Sequence, residues 1–267
     1  MKAWIWTNPV FNPADGVPIT DRGFRYGMSL FESFPLRNGM GLFLQEHLRR
    51  LRDACEVAGF AVPEAGLDAC AELIKHSGDG FARIYVTAGD GPVTGDCNDC
   101  RLFVLVEERD PAPARAYHRG YDLGVHAGAH APLFAGLKTG NYWGNLRAFR
   151  EGVGAHCNET LLFTPAGHLI SACMANVFAV IAGRLLTPGP ATGARQGVVR
   201  AWAMRHAETK EALLTRADLA SAEEIFLTSS WLGIMPAASV DGRALPEKTV
   251  AARLLDLYRK VVNGERE

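Results

Sequence analysis

The chain has 267 residues, of which 48% are hydrophobic and 21% charged, and its formal net charge is −1. That is enough for one large or two smaller domains with real cores at ordinary globular composition. No dense Lys/Arg block points to nucleic acid or an anionic membrane surface, and no apolar run approaches the about 18 residues that cross a bilayer.

At the N-terminus, "MKAWIWTNPVF" places Asn8 and Pro9 where a secretory apolar segment would run. No signal peptide is read there, and a cytoplasmic, reduced protein is expected. "KAWIWT", "ESFPLRNG" and "GLFL" read as strands, with turns at "PADG" and "RNGMG". "QEHLRRLRDACEVAGF" follows with Leu48, Leu51, Cys55 and Ala58 spaced three and four apart, and Gly59 as a stop. This is an amphipathic helix whose polar face carries Arg49, Arg52 and Asp53.

"FARIYVTAG" and "RLFVLVEE" are two further strands. Between them, Cys97 and Cys100 form a C-x-x-C, but no second cysteine or histidine pair follows at zinc spacing, so no metal is expected. The segment 109–120 is Pro- and Ala-rich and reads as a linker.

Beyond it the pattern restarts. "YDLGVHAG" reads as a strand and "NYWGNLRAFREGVGAH" as a helix. The segment "ETLLFTPAGHLISACMANVFAVIAGRLLTP" reads as strands separated by turns at "PAGH" and "AGR". "ATGARQGVVRAWAMRHAE" is a glycine-bearing loop opening a helix, "EIFLTSS" a buried strand, "ASVDGRAL" a D-G hairpin, and "EKTVAARLLDLYRKVVNG" a closing helix. The expected architecture is mixed α+β in two domains, 1–112 and 121–267, with a linker at 113–120.

Lysine is the scarcer cation, six residues against twenty-two arginines, and Lys138 stands among small, uncharged neighbours in "GLKTGNY". A lysine in a partly dry pocket without a carboxylate loses stability as the ammonium, and its free amine can then attack a carbonyl. The bland alternative is a lysine whose stem packs while its head reaches water. Three segments each offer part of a phosphate site. The loop before "GVVR" would aim the amides of Gly197, Val198 and Val199 at an anion. "FLTSSW" ends a strand in the hydroxyls of Thr228, Ser229 and Ser230, and Arg50 in "QEHLRRL" offers a planar fork. Each is weak alone.

Together with "DRGFRYGMSLFES", "LFLQEHLRRL", "LKTGNY", "SACMANVFAV", "GRLLTP" and "EIFLTSSWLGIMPAASVDGR", these segments resemble the class IV (fold type IV) pyridoxal-phosphate aminotransferases. The motifs fall in that family's order from about residue 17 to 245. The family holds branched-chain and D-amino-acid aminotransferases and 4-amino-4-deoxychorismate lyase. The resemblance implies a small N-terminal α/β domain and a larger C-terminal domain with a barrel-like sheet that carries the Schiff-base lysine. It implies pyridoxal 5'-phosphate as cofactor, Lys138 as the Schiff-base residue and proton carrier, and a homodimer.

It further implies that Arg50, the Val198 and Val199 amides beside Gly197, and the hydroxyls of Ser229 and Ser230 hold the phosphate. Tyr142 would lie near the cofactor's phenolic oxygen and the substrate. The backbone at Trp231 and Leu232 would meet the substrate carboxylate, with Phe31 and Glu32 on the small-domain side of the pocket.

Two positions depart from the family pattern. Where the family writes the glutamate that holds the pyridine nitrogen protonated, this chain has Ser171. A serine can hydrogen-bond that nitrogen but cannot hold a charge there, a loss on the order of 1–2 kcal/mol, about ten-fold in rate. Glu159 is a candidate replacement by proximity in sequence. Pro35 stands where the family often has an arginine in a "FETIR"-like string; Arg37, two residues on, returns to the same strand face.

The leading expectation is an aminotransferase moving an amino group between an amino acid and a 2-oxo acid. The alternatives are the pyruvate-eliminating lyase, which the string from Cys173 to Asn176 resembles, and a non-catalytic cofactor-binding homologue, which Ser171 motivates. Small molecules are the expected partners, with no nucleic acid and no membrane.

Overall fold

Alternating apolar and polar residues build the strands of the first of two units in this computed structural model, which describes residues 1–109, 112–131 and 134–265. The first unit comprises Met1–Asp110 together with Leu137–Asn141. Its elements are β1 (Lys2–Thr7), β2 (Val10–Pro13), α1 (Arg22–Tyr26), β3 (Ser29–Arg37), β4 (Met40–Gly41), α2 (Leu44–Ala58), α3 (Glu64–Lys75), β5 (Gly80–Thr87) and β6 (Arg101–Glu107). The strands form one sheet in the order β2-β1-β6-β5-β3-β4, with every pairing antiparallel.

β3 shows how the sequence sets this sheet. Leu30, Glu32, Phe34 and Leu36 are buried, and the residues between them are half-buried. The apolar members join Leu48, Leu51 and Cys55 of α2 and Leu67, Cys70 and Ile74 of α3 in one core. The expected helix is α2, and Gly59 ends it in the left-handed conformation. "GLFL", expected as a strand, is not one. β4 ends at Gly41, and Phe43 at φ 55 turns the chain into α2 at Leu44. A short apolar run before an amphipathic helix imitates a strand; here its last residue, Leu44, packs on the core from the first turn of α2.

The second unit comprises Pro111–Gly136 and Tyr142–Glu267. In chain order it contains α4 (Ala114–Arg119), β7 (Tyr121–Ala129), α5 (Trp143–Gly154), β8 (Glu159–Phe163), β9 (Leu169–Ala172), β10 (Asn176–Ile181), β11 (Arg184–Pro188) and α6 (Val198–His206). There follow β12 (Thr209–Ala212), α7 (Arg216–Ala220), β13 (Glu224–Ser229), β14 (Gly233–Val240), β15 (Arg243–Ala244) and α8 (Thr249–Val262). Its nine strands form a mixed sheet in the order β12-β11-β10-β13-β14-β7-β8-β9, with β15 on β14. The core joins Leu161, Phe163, Val177, Leu227, Met235 and Ala237 from these strands. The D-G hairpin is the β14–β15 turn, with Asp241 and Gly242 both at positive φ.

Two boundaries differ from expectation. The segment 113–120 is not a free linker: it holds α4, whose Tyr117 packs on the second core and donates its hydroxyl to the Leu232 carbonyl at 2.9 Å. Residues 110 and 111 of the expected linker lie outside the described residues. Lys138, expected in the C-terminal domain, belongs with Leu137–Asn141 to the first unit. Backbone pairing to β3 accounts for this.

No helix among the described residues is long and apolar enough to cross a membrane. No cluster of three or more metal-ligating side chains occurs among them either. Cys100 donates its thiol to the Cys97 carbonyl at 3.1 Å, and burial pushes that thiol up to about 12.

Candidate active site

Lys138 is placed by backbone pairing. Phe31 donates its amide to the Lys138 carbonyl at 2.8 Å, Gly140 donates to the Ser29 carbonyl at 2.9 Å, and Leu30 bridges Thr139 antiparallel. The segment therefore lies along the end of β3 that the short β4 leaves uncovered. Gly140 is what allows the approach, since a Cβ there would sit 2.3 Å from the Ser29 hydroxyl. The half-buried Lys138 carries its Nζ 3.9 Å from the centre of the Phe31 ring, and Phe31 in turn stacks on Tyr85 at 5.2 Å. A cation over an aromatic face is attracted by the ring's negative face, and the Phe31 ring so helps to hold the Lys138 amine in place.

Phe31 and Glu32, both expected on the small-domain side of the pocket, lie on opposite faces of β3. Glu32 is buried, and its carboxylate accepts from Arg50 through Nε and Nη2, each at 2.7 Å, and from His47 Nδ1 at 2.6 Å. Burial pushes Glu32 up, but the charge of Arg50 and the bonds from His47 and Arg50 outweigh it and hold the group well below its ordinary range. Burial pushes His47 down, with Arg50 and Lys138 adding to the shift against the opposing pull of Glu32. His47 is thus neutral and donates from Nδ1.

His47 had no role in the sequence reading. Its signal was present, three residues before Arg50 on the buried side of an amphipathic helix. Arg37 shares the half-buried face with Phe31, as a two-residue period requires, and bonds the Leu36 carbonyl at 3.0 Å.

In the second unit, α6 begins at Val198 with Gly197 as its N-cap, no side-chain cap and no acidic residue in the first turn. Such an end presents backbone N–H groups and positive dipole charge. Gly197 has an ordinary φ of −68, so the demand here is space: an added Cβ would lie 2.1 Å from Asn176 Oδ1. Asn176 donates its Nδ2 to the Arg195 carbonyl at 2.8 Å, which fixes the loop entering the helix.

Ser229 closes β13, and its hydroxyl accepts from the Leu232 amide at 3.1 Å, leaving the O–H proton to donate. Both backbone groups of Leu232 are thus engaged, the carbonyl by Tyr117. Ser230 and Trp231 follow Ser229 and are half-buried. Tyr142 accepts from Arg195 Nη2 at 3.2 Å.

Comparison with known proteins identifies the family. Residues 29–240 match the family described as Amino-transferase class IV. The chain belongs to that family. It is 26% identical over 263 residues to an aminodeoxychorismate lyase of Bacillus subtilis, covering 91% of this chain and 89% of the relative. It is 26% identical over 283 residues to a branched-chain-amino-acid aminotransferase of Salmonella typhimurium, covering 94% and 89%. The crystal structure of 4-amino-4-deoxychorismate lyase from Pseudomonas aeruginosa superposes with a TM-score of 0.88 at 28% identity, covering 97% of this chain and 98% of that one.

Within this class IV aminotransferase, Ser171 lies half-buried on β9 opposite Leu162 of β8. Glu159, the candidate acid nearest in sequence, is buried, and its oxygens accept the amides of Thr160 at 2.9 Å, Cys173 at 3.1 Å and Met174 at 3.0 Å. Burial pushes it up to about 7, against the lowering by those amides. Its carboxyl secures the turn between β9 and β10, which Asn145 of α5 also grips by donating to the Cys173 carbonyl at 2.8 Å.

Proposed function

We propose that the protein is a pyridoxal-phosphate-dependent aminotransferase acting on an amino acid and a 2-oxo acid, as a homodimer. The donor set supports a phosphate-bearing cofactor: an uncapped helix end at Val198 and Val199, hydroxyls at Ser229 and Ser230, and the guanidinium of Arg50. Glu32 braces one edge of that guanidinium, so the fork is oriented before an anion arrives. When bound, pyridoxal 5'-phosphate supplies an aldehyde to an amine and a ring that takes up the electron pair left when the substrate Cα loses its proton.

The observation that carries the reading is the placement of Lys138, an amine over the Phe31 ring on a segment tied to β3 by two backbone bonds. As the free amine, its Nζ accepts the substrate Cα proton, holds it and returns it. Arg50 offers its guanidinium to a phosphate, as do the Val198 and Val199 amides of the second unit with their N–H groups, and the Tyr142 hydroxyl orients the ring oxygen. Ser171 gives a neutral hydrogen bond where the family pattern has a carboxylate. Phe31 and Arg37 bound the substrate on the first unit's half-buried face, and Glu32 acts through Arg50. Trp231 lies on the side proposed for the substrate carboxylate, whereas the backbone of Leu232, expected to meet it, is already bonded to the Ser229 hydroxyl and to Tyr117.

An absorbance titration tests this. Protein loaded with pyridoxal 5'-phosphate and given single L- or D-amino acids should lose its visible band to at least one donor, and an added 2-oxo acid should restore it. Release of pyruvate from aminodeoxychorismate without an acceptor acid would instead establish the lyase. A band that no donor bleaches would establish a binding protein. Lys138→Ala should abolish both band and turnover; retention of either refutes the assignment.

A further inference from the structure

The second unit contains an arginine with nothing anionic to hold. The buried Arg200 is bonded to the carboxylate of Glu211 at 2.7 Å, the Gln196 amide oxygen at 2.8 Å and the Pro188 carbonyl at 3.0 Å, whereas Arg195 is half-buried. Arg243 likewise donates Nη2 to the carbonyls of Leu219 and Ala222. Arg195 differs. Its side-chain hydrogen bond is from Nη2 to the neutral hydroxyl of Tyr142, where Arg200 and Arg243 reach carboxylate, amide or carbonyl oxygens; its Nε is buried without a partner, as theirs are, and no carboxylate pairs with it among the described residues.

The side chain does not sit there by accident of a loose loop. The Arg195 carbonyl is pinned by Asn176 Nδ2, and the backbone two residues on passes so close to Asn176 that only glycine fits. A guanidinium held partly out of water against a phenol loses hydration and gains little in return unless an anion completes the pair. The planar fork suits a carboxylate in bidentate contact, and Tyr142, by accepting from Nη2, fixes the direction in which the fork points.

We infer that Arg195 and Tyr142 form a carboxylate-binding subsite for the substrate. The inference rests on the cofactor reading for the identity of the ligand, since that reading already commits Arg50 and the α6 amides to phosphate. Two sources share this chemistry: the α-carboxylate of any amino acid, and a second carboxylate such as that of glutamate or aspartate.

Arg195→Met and Arg195→Lys in the holoenzyme separate them. Calorimetry measures the affinity for glutarate, butyrate and inorganic phosphate, and stopped-flow absorbance measures bleaching by alanine, leucine, glutamate and aspartate. The methionine variant should bind glutarate about ten-fold or more weakly, with lysine intermediate. If bleaching by all four amino acids slows together, the subsite holds the α-carboxylate. If only glutamate and aspartate are affected, it holds the second carboxylate.

The inference is overturned if the methionine variant binds and reacts with carboxylates as the parent does. It is also overturned if that variant loses affinity for pyridoxal 5'-phosphate and inorganic phosphate while keeping its affinity for pyridoxal and carboxylates. A parent protein that forms no visible band with pyridoxal 5'-phosphate would defeat the cofactor reading alone, because glutarate binding remains measurable. Matching circular dichroism of both variants and parent excludes misfolding, and the lysine variant carries the comparison if the methionine variant fails to fold.

Discussion

Glu32→Gln tests how the first unit holds its anion-binding arginine. The carboxylate is 1% exposed and receives Arg50 through Nε and Nη2 and His47 through Nδ1. Glutamine keeps one oxygen acceptor but turns an NH2 group toward a donor and leaves Arg50 without its counter-charge. Breaking a buried charge pair by removing one partner costs about 3–5 kcal/mol. The Arg50 side chain retains 21% exposure and regains some water, which favours the lower figure, about 3 kcal/mol.

At roughly 2–4 °C per kcal/mol for a chain of this size, the melting temperature should fall by about 6–12 °C. The Glu32 carboxyl is held below its unfolded value. Its contribution is therefore fully present above about pH 4 and is lost only as pH falls through the depressed folded value, so the deficit should not vary between about pH 6 and 8. Calorimetric melts at several pH values measure this, and titration with pyridoxal 5'-phosphate against pyridoxal measures the second consequence. An Arg50 released from its brace should bind the phosphorylated form more weakly and the unphosphorylated form equally. A variant that melts within about 2 °C of the parent and discriminates the two ligands as the parent does would refute the bracing role.

Gly197→Ala should drive a Cβ against Asn176, lowering stability by about 1–3 kcal/mol in a thermal melt and weakening pyridoxal 5'-phosphate in a fluorescence titration. Ser171→Glu should restore a carboxylate opposite the ring nitrogen and speed the amino-donor half-reaction about ten-fold in stopped-flow absorbance; an unchanged rate would remove Ser171 from that role. His47 has its folded pKa below its unfolded value of 6.5, so its contribution is complete above pH 6.5 and declines as pH falls toward the folded value. The stability gap between parent and His47→Gln should therefore narrow from about pH 7 to pH 5 in urea titrations; a gap that widens would contradict a neutral His47.

What was legible in the chain follows from how local each signal is. α2 and the D-G turn at Asp241 and Gly242 need only neighbouring residues, and both stand where spacing and turn chemistry put them. The alternation along β3 foretold that Arg37 shares a face with Phe31, and the same rule separates Phe31 from Glu32. The helix within 113–120 was not legible, because proline and alanine suit a connecting segment with or without a helix, whereas Tyr117 fastens the chain through a carbonyl more than a hundred residues away.

The position of Lys138 depends on pairing with β3 across a similar separation, which periodicity cannot register. The trace it leaves in sequence is the small residue Gly140, needed where two backbones meet. Charge is the least local signal of all. Glu159 looked available as an acid for the ring nitrogen because it lies close to Ser171 in sequence. A carboxylate already accepting three amides, two of them from the 173–174 turn, would have to abandon that turn to serve elsewhere, and unpairing those N–H groups would remove more stability than one hydrogen bond to a ring nitrogen returns. Glu159 is therefore committed to the backbone and does not replace the carboxylate missing at Ser171, and this is why the Ser171→Glu variant tests the ring nitrogen more directly than any change at residue 159.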